Sequence, residues 1–155
     1  MSVGLAIPVS AEAAPATCQL VVCALGAEQY GLPVEQVREV VRSVAPRPVA
    51  SELPWMRGVI GLRGRLVPVH DLAVRLGLAA VPAADPPLGA KLVIVDAAGE
   101  PAGLLVDDVV EVMRLDEAQL EDVPSGSGRI ARAGDRLVLL LDAADLLGDR
   151  CAASS

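Results

Sequence analysis

Phenylalanine is absent from this 155-residue sequence, and a single Trp and a single Tyr hold the aromatics to 1%. Hydrophobic residues nevertheless make up 53%, so any interior must be filled by branched aliphatics, which pack well on a pleated surface and favour strands. Histidine is as scarce: His70 stands alone, no nucleophile sits in an elbow, and no Cys is placed to be activated by it. Basic residues are in deficit, 13 Lys and Arg against 20 Asp and Glu, for a formal net charge of -7. That balance excludes nucleic acid as a partner, because phosphate contact needs a surplus of cations and base stacking needs aromatic rings. Long apolar runs are missing too. Gly, Pro or a charge interrupts every one before the roughly 20 residues that a helical span needs, so direct membrane insertion is not expected.

The three cysteines, Cys18, Cys23 and Cys151, are an odd number. Cys18 and Cys23 are five apart and fall on opposite faces of a strand, which argues against a local disulfide or metal pair and for buried thiols in a reducing cytoplasm. Residues 1–16 read as a flexible Ala/Pro leader. A secretory signal is the competing reading, but a basic start is missing and Pro8 cuts the apolar run.

What is present is a succession of short strands. Thr17 to Leu25 and Glu28 to Leu32 read as a hairpin broken at Gly26. From Val34 to Val44 the valines recur at helical spacing after Pro33, yet valine is a poor helix former, so a short helical turn running into a strand competes with one long helix. Val59 to Leu62 and Leu66 to Val69 flank an Arg63-Gly64 turn, and Asp71 is placed to cap a short helix carrying Leu72 and Leu76 and stopped by Gly77. Residues 78–89, rich in Pro and Ala, form the expected joint between halves of roughly 17–80 and 89–148, with the C-terminal strand or turn open to crossing back to the first half. Beyond it come strands at Lys91 to Asp96, Ala102 to Val106 and Val109 to Leu115, one capped turn at Asp116 to Leu120, and a loop at Pro124 to Gly128. A hairpin follows at Arg129 to Arg132 and Arg136 to Leu141, then a terminal turn capped by Asp142, with residues 149–155 as a tail. Such spacing predicts an all-β protein of small barrels or a sandwich.

The glycine series Gly58, Gly61, Gly64 is followed by a strand, Leu66 to Val69, whereas a phosphate-cradling loop needs a helix N-terminus there, so these read as turn and strand-crossing glycines. Asp107 and Asp108 are adjacent on a strand and point apart, which suits a solvated turn better than a divalent cation. Glu39 and Arg63 each interrupt aliphatics. Either they are two unrelated surface charges, or they form a partly shielded ion pair that fixes the valine segment against the glycine turn.

Taken in order, Gln29 to Val34, Val37-Arg38-Glu39-Val40, Pro54 with Arg57-Gly58-Val59-Ile60, Leu62-Arg63-Gly64, Val67 to Val69, Asp71-Leu72, Gly103 to Val109 and Leu137 to Leu147 resemble the CheW family of bacterial chemotaxis coupling proteins. Gly61 departs from the Asn often found before that turn. The resemblance implies two five-stranded SH3-like β-barrels around a shared hydrophobic core, spanning residues 17–148, and settles the Val34 to Val44 segment as a short turn plus strand. It implies a non-enzymatic adaptor without cofactor or metal, joining the cytoplasmic tip of a methyl-accepting chemoreceptor to the regulatory domain of a CheA-type histidine kinase. The setting it implies is cytoplasmic, at receptor arrays on the inner membrane or at soluble receptor clusters, with ring assembly through the kinase or through itself. The interface-shaping residues that follow are Val37, Glu39, Val40, Arg57, Gly58, Leu62, Arg63, Gly64, Val106 and Asp107. Two other readings stand beside this one: the same module in pilus motility or second-messenger control, and a small metal-binding or hydrolytic protein using His70 and Asp71.

Overall fold

The computed structural model describes residues 17–80, 86, 88–124 and 128–147; the expected leader and tail, and parts of the 78–89 joint and the Pro124 to Gly128 loop, lie outside them. The first hairpin forms as expected, β1 (Thr17–Leu25) with β2 (Glu28–Pro33), in register from Leu20 opposite Pro33 to Leu25 opposite Glu28. A single 3-10 turn, Val34–Gln36, then runs into β3 (Val37–Arg42). Strand suits these valines, since a β-branched side chain loses rotamer freedom in a helix and packs well on a pleat. Next come β4 (Met56–Leu62), β5 (Arg65–Asp71) and a one-turn helix, α1 (Leu72–Arg75). The Asp71 carboxylate caps α1 by accepting from the Val74 N–H at 3.3 Å, and Gly77, with φ at 80°, ends the turn.

The remaining strands are β6 (Lys91–Ala97), β7 (Glu100–Val106), β8 (Asp108–Asp116), β9 (Leu120–Asp122), β10 (Arg129–Ala133) and β11 (Arg136–Leu140), with a 3-10 turn Glu117–Gln119 before β9 and residues 143–147 helical. The three-residue β9 was not expected, being too short to carry a period.

The strands form two sheets, one in the order β8-β1-β2-β11-β10-β9 and one in the order β3-β6-β7-β5-β4. The sheets do not follow the halves at 17–80 and 89–148, and the C-terminal strand crosses back to the first of them. The first hairpin joins the last strands, through a parallel pairing of β2 with β11 at Tyr30 opposite Leu139, and β6 and β7 from beyond the joint complete the sheet of β3, β4 and β5. The reason lies in the apolar runs. β1 sends Leu20 and Val22 into one cluster with Met113, Leu115, Ala131 and Val138, the interior of the six-stranded sheet. Its alternate residues Val21, Cys23 and Leu25 enter a second cluster lying between the sheets. β6 repeats the pattern, with Leu92 and Ile94 inside the five-stranded barrel and Val93 and Val95 in the shared core. A strand buried on both faces must sit where two layers meet.

Candidate partner-binding surface

β3 and β4 are the two margins of the five-stranded sheet, and Glu39 on β3 meets Arg63 in the β4–β5 turn across that seam. The contact is bidentate, Arg63 Nε donating to Glu39 Oε2 at 2.9 Å and Nη2 to Oε1 at 2.8 Å. Arg63 and Gly64 both take positive φ, 52° and 78°, the two-residue turn that matches strand twist. Hydrogen bonding from Arg63, reinforced by its charge, holds the Glu39 carboxyl below the usual carboxylate range. The ion-pair reading of these two residues is thus realised, although the Arg63 side chain is 74% exposed and Glu39 25%, so only the acid is shielded. Below the pair the backbones of Arg47 and Val59 exchange hydrogen bonds of 2.8 and 2.9 Å, closing the same seam. Leu62 lies beside the pair, in a small pit with Arg38, Arg65, Val67, Ile94 and Pro101, and Arg38 pairs with Asp96 at 3.0 Å.

Other expected contact residues are elsewhere. Arg57 points inward: its Nη1 is 3.2 Å from Asp71 Oδ2, and the two side chains are 5% and 11% exposed. A partner cannot reach it, because Asp71, buried by its capping role, needs a counter-charge inside the fold. Gly58 is buried with φ at 138°, and a Cβ there would run into the Arg47 carbonyl, so it is a strand-crossing glycine. Val106 is 1% exposed in the shared core and offers nothing to a partner. Asp107 is exposed but committed, its N–H donating to Ala24 O at 3.0 Å and its Oδ2 accepting from Gly26 N at 2.7 Å, which fastens the β7–β8 bend to the first hairpin. These two also sit at the far end of the strands, since Glu39 is opposite Ile94 while Val106 is opposite Lys91 and so level with Arg42. Val37 packs toward the shared core, whereas Val40 is exposed. The structure therefore brings together Glu39, Leu62, Arg63 and Gly64.

His70 is buried at 1% and the Asp71 carboxylate is engaged by both Arg57 and Val74, which leaves the hydrolytic or metal-binding reading without an open site there. Among the described residues no three His, Cys, Asp or Glu groups could hold a metal ion, and no helix is long and apolar enough to cross a membrane. Trp55, at the entrance to β4, lies under the Arg75 guanidinium at 4.9 Å from the ring centroid.

Sequence reasoning missed the outer side of the seam. A groove of about 260 Å³ runs there, lined by Val44, Ala45, Arg47, Val59, Ile60, Gly61 and Leu66, and it continues past Val44 toward Arg42 and Leu88. The usable signal is at Arg65-Leu66-Val67: Val67 is buried, so Leu66 stands in the outward register, where it is exposed.

The family profile of the CheW-like domain matches residues 19–151 of this chain. A probable chemotaxis protein CheW of Rhizobium etli is 30% identical over 125 residues, covering 80% of this chain and 78% of that protein. The chemotaxis protein CheW of Bacillus subtilis is 27% identical over 133 residues, covering 81% and 83%. Among solved structures, the scaffolding protein TtCheW of Thermoanaerobacter tengcongensis superposes with a TM-score of 0.72 at 31% identity, over 81% of this chain and 88% of that one.

Proposed function

The chain belongs to the CheW-like domain family, and from that premise we propose that it is a non-enzymatic chemotaxis scaffold, coupling the cytoplasmic tip of a methyl-accepting chemoreceptor to the regulatory domain of a CheA-type histidine kinase. The observation that carries this reading is the likeness to a solved scaffolding protein over most of the chain. A scaffold works by presenting surfaces of fixed shape. Here the clasped seam supplies one: Glu39 and Arg63 hold the β4–β5 turn against β3, with Leu62 and Gly64 beside them. A receptor tip is a helical hairpin, and it would lie in the groove between the barrels in the helix-in-groove mode. The kinase domain, a related barrel, would meet a barrel end.

The test is a pull-down with a purified receptor tip and a CheA-type kinase. Arg63→Glu is expected to weaken capture several-fold, because it sets two carboxylates against each other across the seam, and adding Glu39→Arg is expected to restore part of the loss. Strictly additive losses in the double variant would remove the clasp from the mechanism. Failure of the native chain to bind receptor, kinase or their mixture would remove the adaptor reading.

A further inference from the structure

The margins of the two sheets are closed to different degrees. In the five-stranded sheet β3 and β4 are tied by the Glu39–Arg63 pair and, through the chain that follows β3, by the backbone bonds between Arg47 and Val59. In the six-stranded sheet β9 is a margin of three residues with exposed Glu121 and Asp122, whereas β8 runs for nine and, among the described residues, is bonded on one side only, to β1. A long unpaired edge is a template for a further strand. This one also carries apolar surface. Val112 is 56% exposed and lies opposite Val21, whose side chain enters the shared core, so Val112 stands on the same face at its rim. Val110, at the register shift beside it, is 45% exposed.

The sequence supplies a segment of fitting pattern within reach. Val3, Leu5, Ile7 and Val9 alternate with Gly4, Ala6 and Pro8, the period of a strand that buries one face. Alternate residues of a strand also turn their backbone N–H and C=O to the same side. When residues 3, 5, 7 and 9 bond a neighbour, Pro8 therefore falls on the outer side, where its missing N–H costs no ladder bond. β1 begins at Thr17, opposite Asp116 at the end of β8, so the preceding chain leaves from that end of the β8 edge. Residues 10–16 reach up to about 23 Å when extended. Passing over the end of β8 to its free side needs about 10 Å, two strand spacings.

We propose that residues 3–9 add to the free edge of β8 as a further strand of the same molecule, with Val3, Leu5, Ile7 and Val9 on the face of Val112. Because the chain reaches β1 from the Asp116 end, this strand runs antiparallel to β1 and so parallel to β8. Seated there, the leader covers the edge and competes with any second protein that would pair with it. The contact is autoinhibitory in that sense, and it stands independently of the scaffold reading.

The test is amide hydrogen exchange of the purified full chain, read by mass spectrometry on peptides covering residues 108–116 and, as reference, 129–133. Leu5→Ser/Ile7→Ser is expected to speed exchange over 108–116 several-fold and to leave 129–133 unchanged. Gly4→Ser/Ala6→Ser, which places the same hydroxyls in the outward phase, is expected to exchange as the native chain does. Protection of 108–116 is expected to be equal at low and high protein concentration, because the covering strand belongs to the same molecule. Exchange that Leu5→Ser/Ile7→Ser leaves at the native rate, equal acceleration by both variants, or native protection that grows with concentration would each overturn the proposal, the last by assigning the edge to a second copy. All four substitutions precede β1, so both sheets keep every residue. Neither receptor nor kinase is present, so failure here leaves the adaptor reading standing, and failure of the pull-down leaves this measurement standing.

Discussion

Arg57 and Arg63 lie on the same hairpin and do opposite work. Arg63 reaches across an exposed seam, where its exchange alters a binding surface more than stability, because solvent screens the pair. Arg57 is sealed against Asp71, so Arg57→Ala strands a carboxylate that is 7% exposed. That loss is expected to destabilise the fold by about 3–5 kcal/mol in urea unfolding; a cost below about 1 kcal/mol would mean the pair is solvated. Glu39 and Arg63 were legible in the sequence because each interrupts aliphatics. The Arg57–Asp71 pair was not, since capping already accounts for an Asp before Leu72 and nothing marks the duty of its second oxygen. Cys23 was readable as a buried thiol from its place in an apolar strand, and burial pushes it up to about 12. The thiolate is the reactive form, so at pH 8 alkylation of Cys23, read by mass spectrometry, is expected only after unfolding. The same shift sets a sign for stability. The folded chain keeps the proton that the unfolded chain releases above about 8.5, so stability falls as pH rises from there toward 12.

At the level of elements, the β4–β5 hairpin depends on one crossing. Arg47 bridges Val59 only because Gly58 lets the backbones approach, and its φ of 138° is one that side-chain-bearing residues rarely adopt. Gly58→Ala is therefore expected to cost at least about 1–3 kcal/mol of strain, lowering the melting temperature. Gly61→Ala, with open space around it and no left-handed φ, is expected to be neutral or to stabilise by about 0.5 kcal/mol. Equal melting shifts for both variants would refute the crossing as the cause. The hairpins were legible from their turn residues, as at Arg63-Gly64 and Ala98-Gly99, and α1 from its cap and stop. The seam groove was not, because Val44 and Leu66 each lie in an apolar stretch whose outward side chains are fixed only by the register of their neighbours.

For the whole molecule, the apolar runs were legible as strands but not by their place in the sheets. TCQLVVCAL and KLVIVD are continuous where VREVVR alternates, as strands buried on both faces are, yet the sequence pattern marks them only as half of a hairpin and one of a second strand set; their partners come from distant chain, which sequence adjacency does not show. The chain passes between sheets at residues 33–37 and 106–108, and both passages are tied down, the first by Gln36 Oε1 accepting from Ala143 N at 2.8 Å and the second by Asp107 accepting from Gly26 N. Cutting the backbone between Ala80 and Pro86 tests this interleaving. The N-terminal piece would hold β1 and β2 of one sheet with β3, β4 and β5 of the other; the C-terminal piece would hold the remainder. Neither can close a barrel or cover both faces of β1 or β6. Each piece alone is expected to lack a cooperative thermal transition by circular dichroism, and mixing them is expected to restore one. Had the halves been independent barrels, either piece would melt cooperatively alone, and that result would refute the shared core as the source of stability.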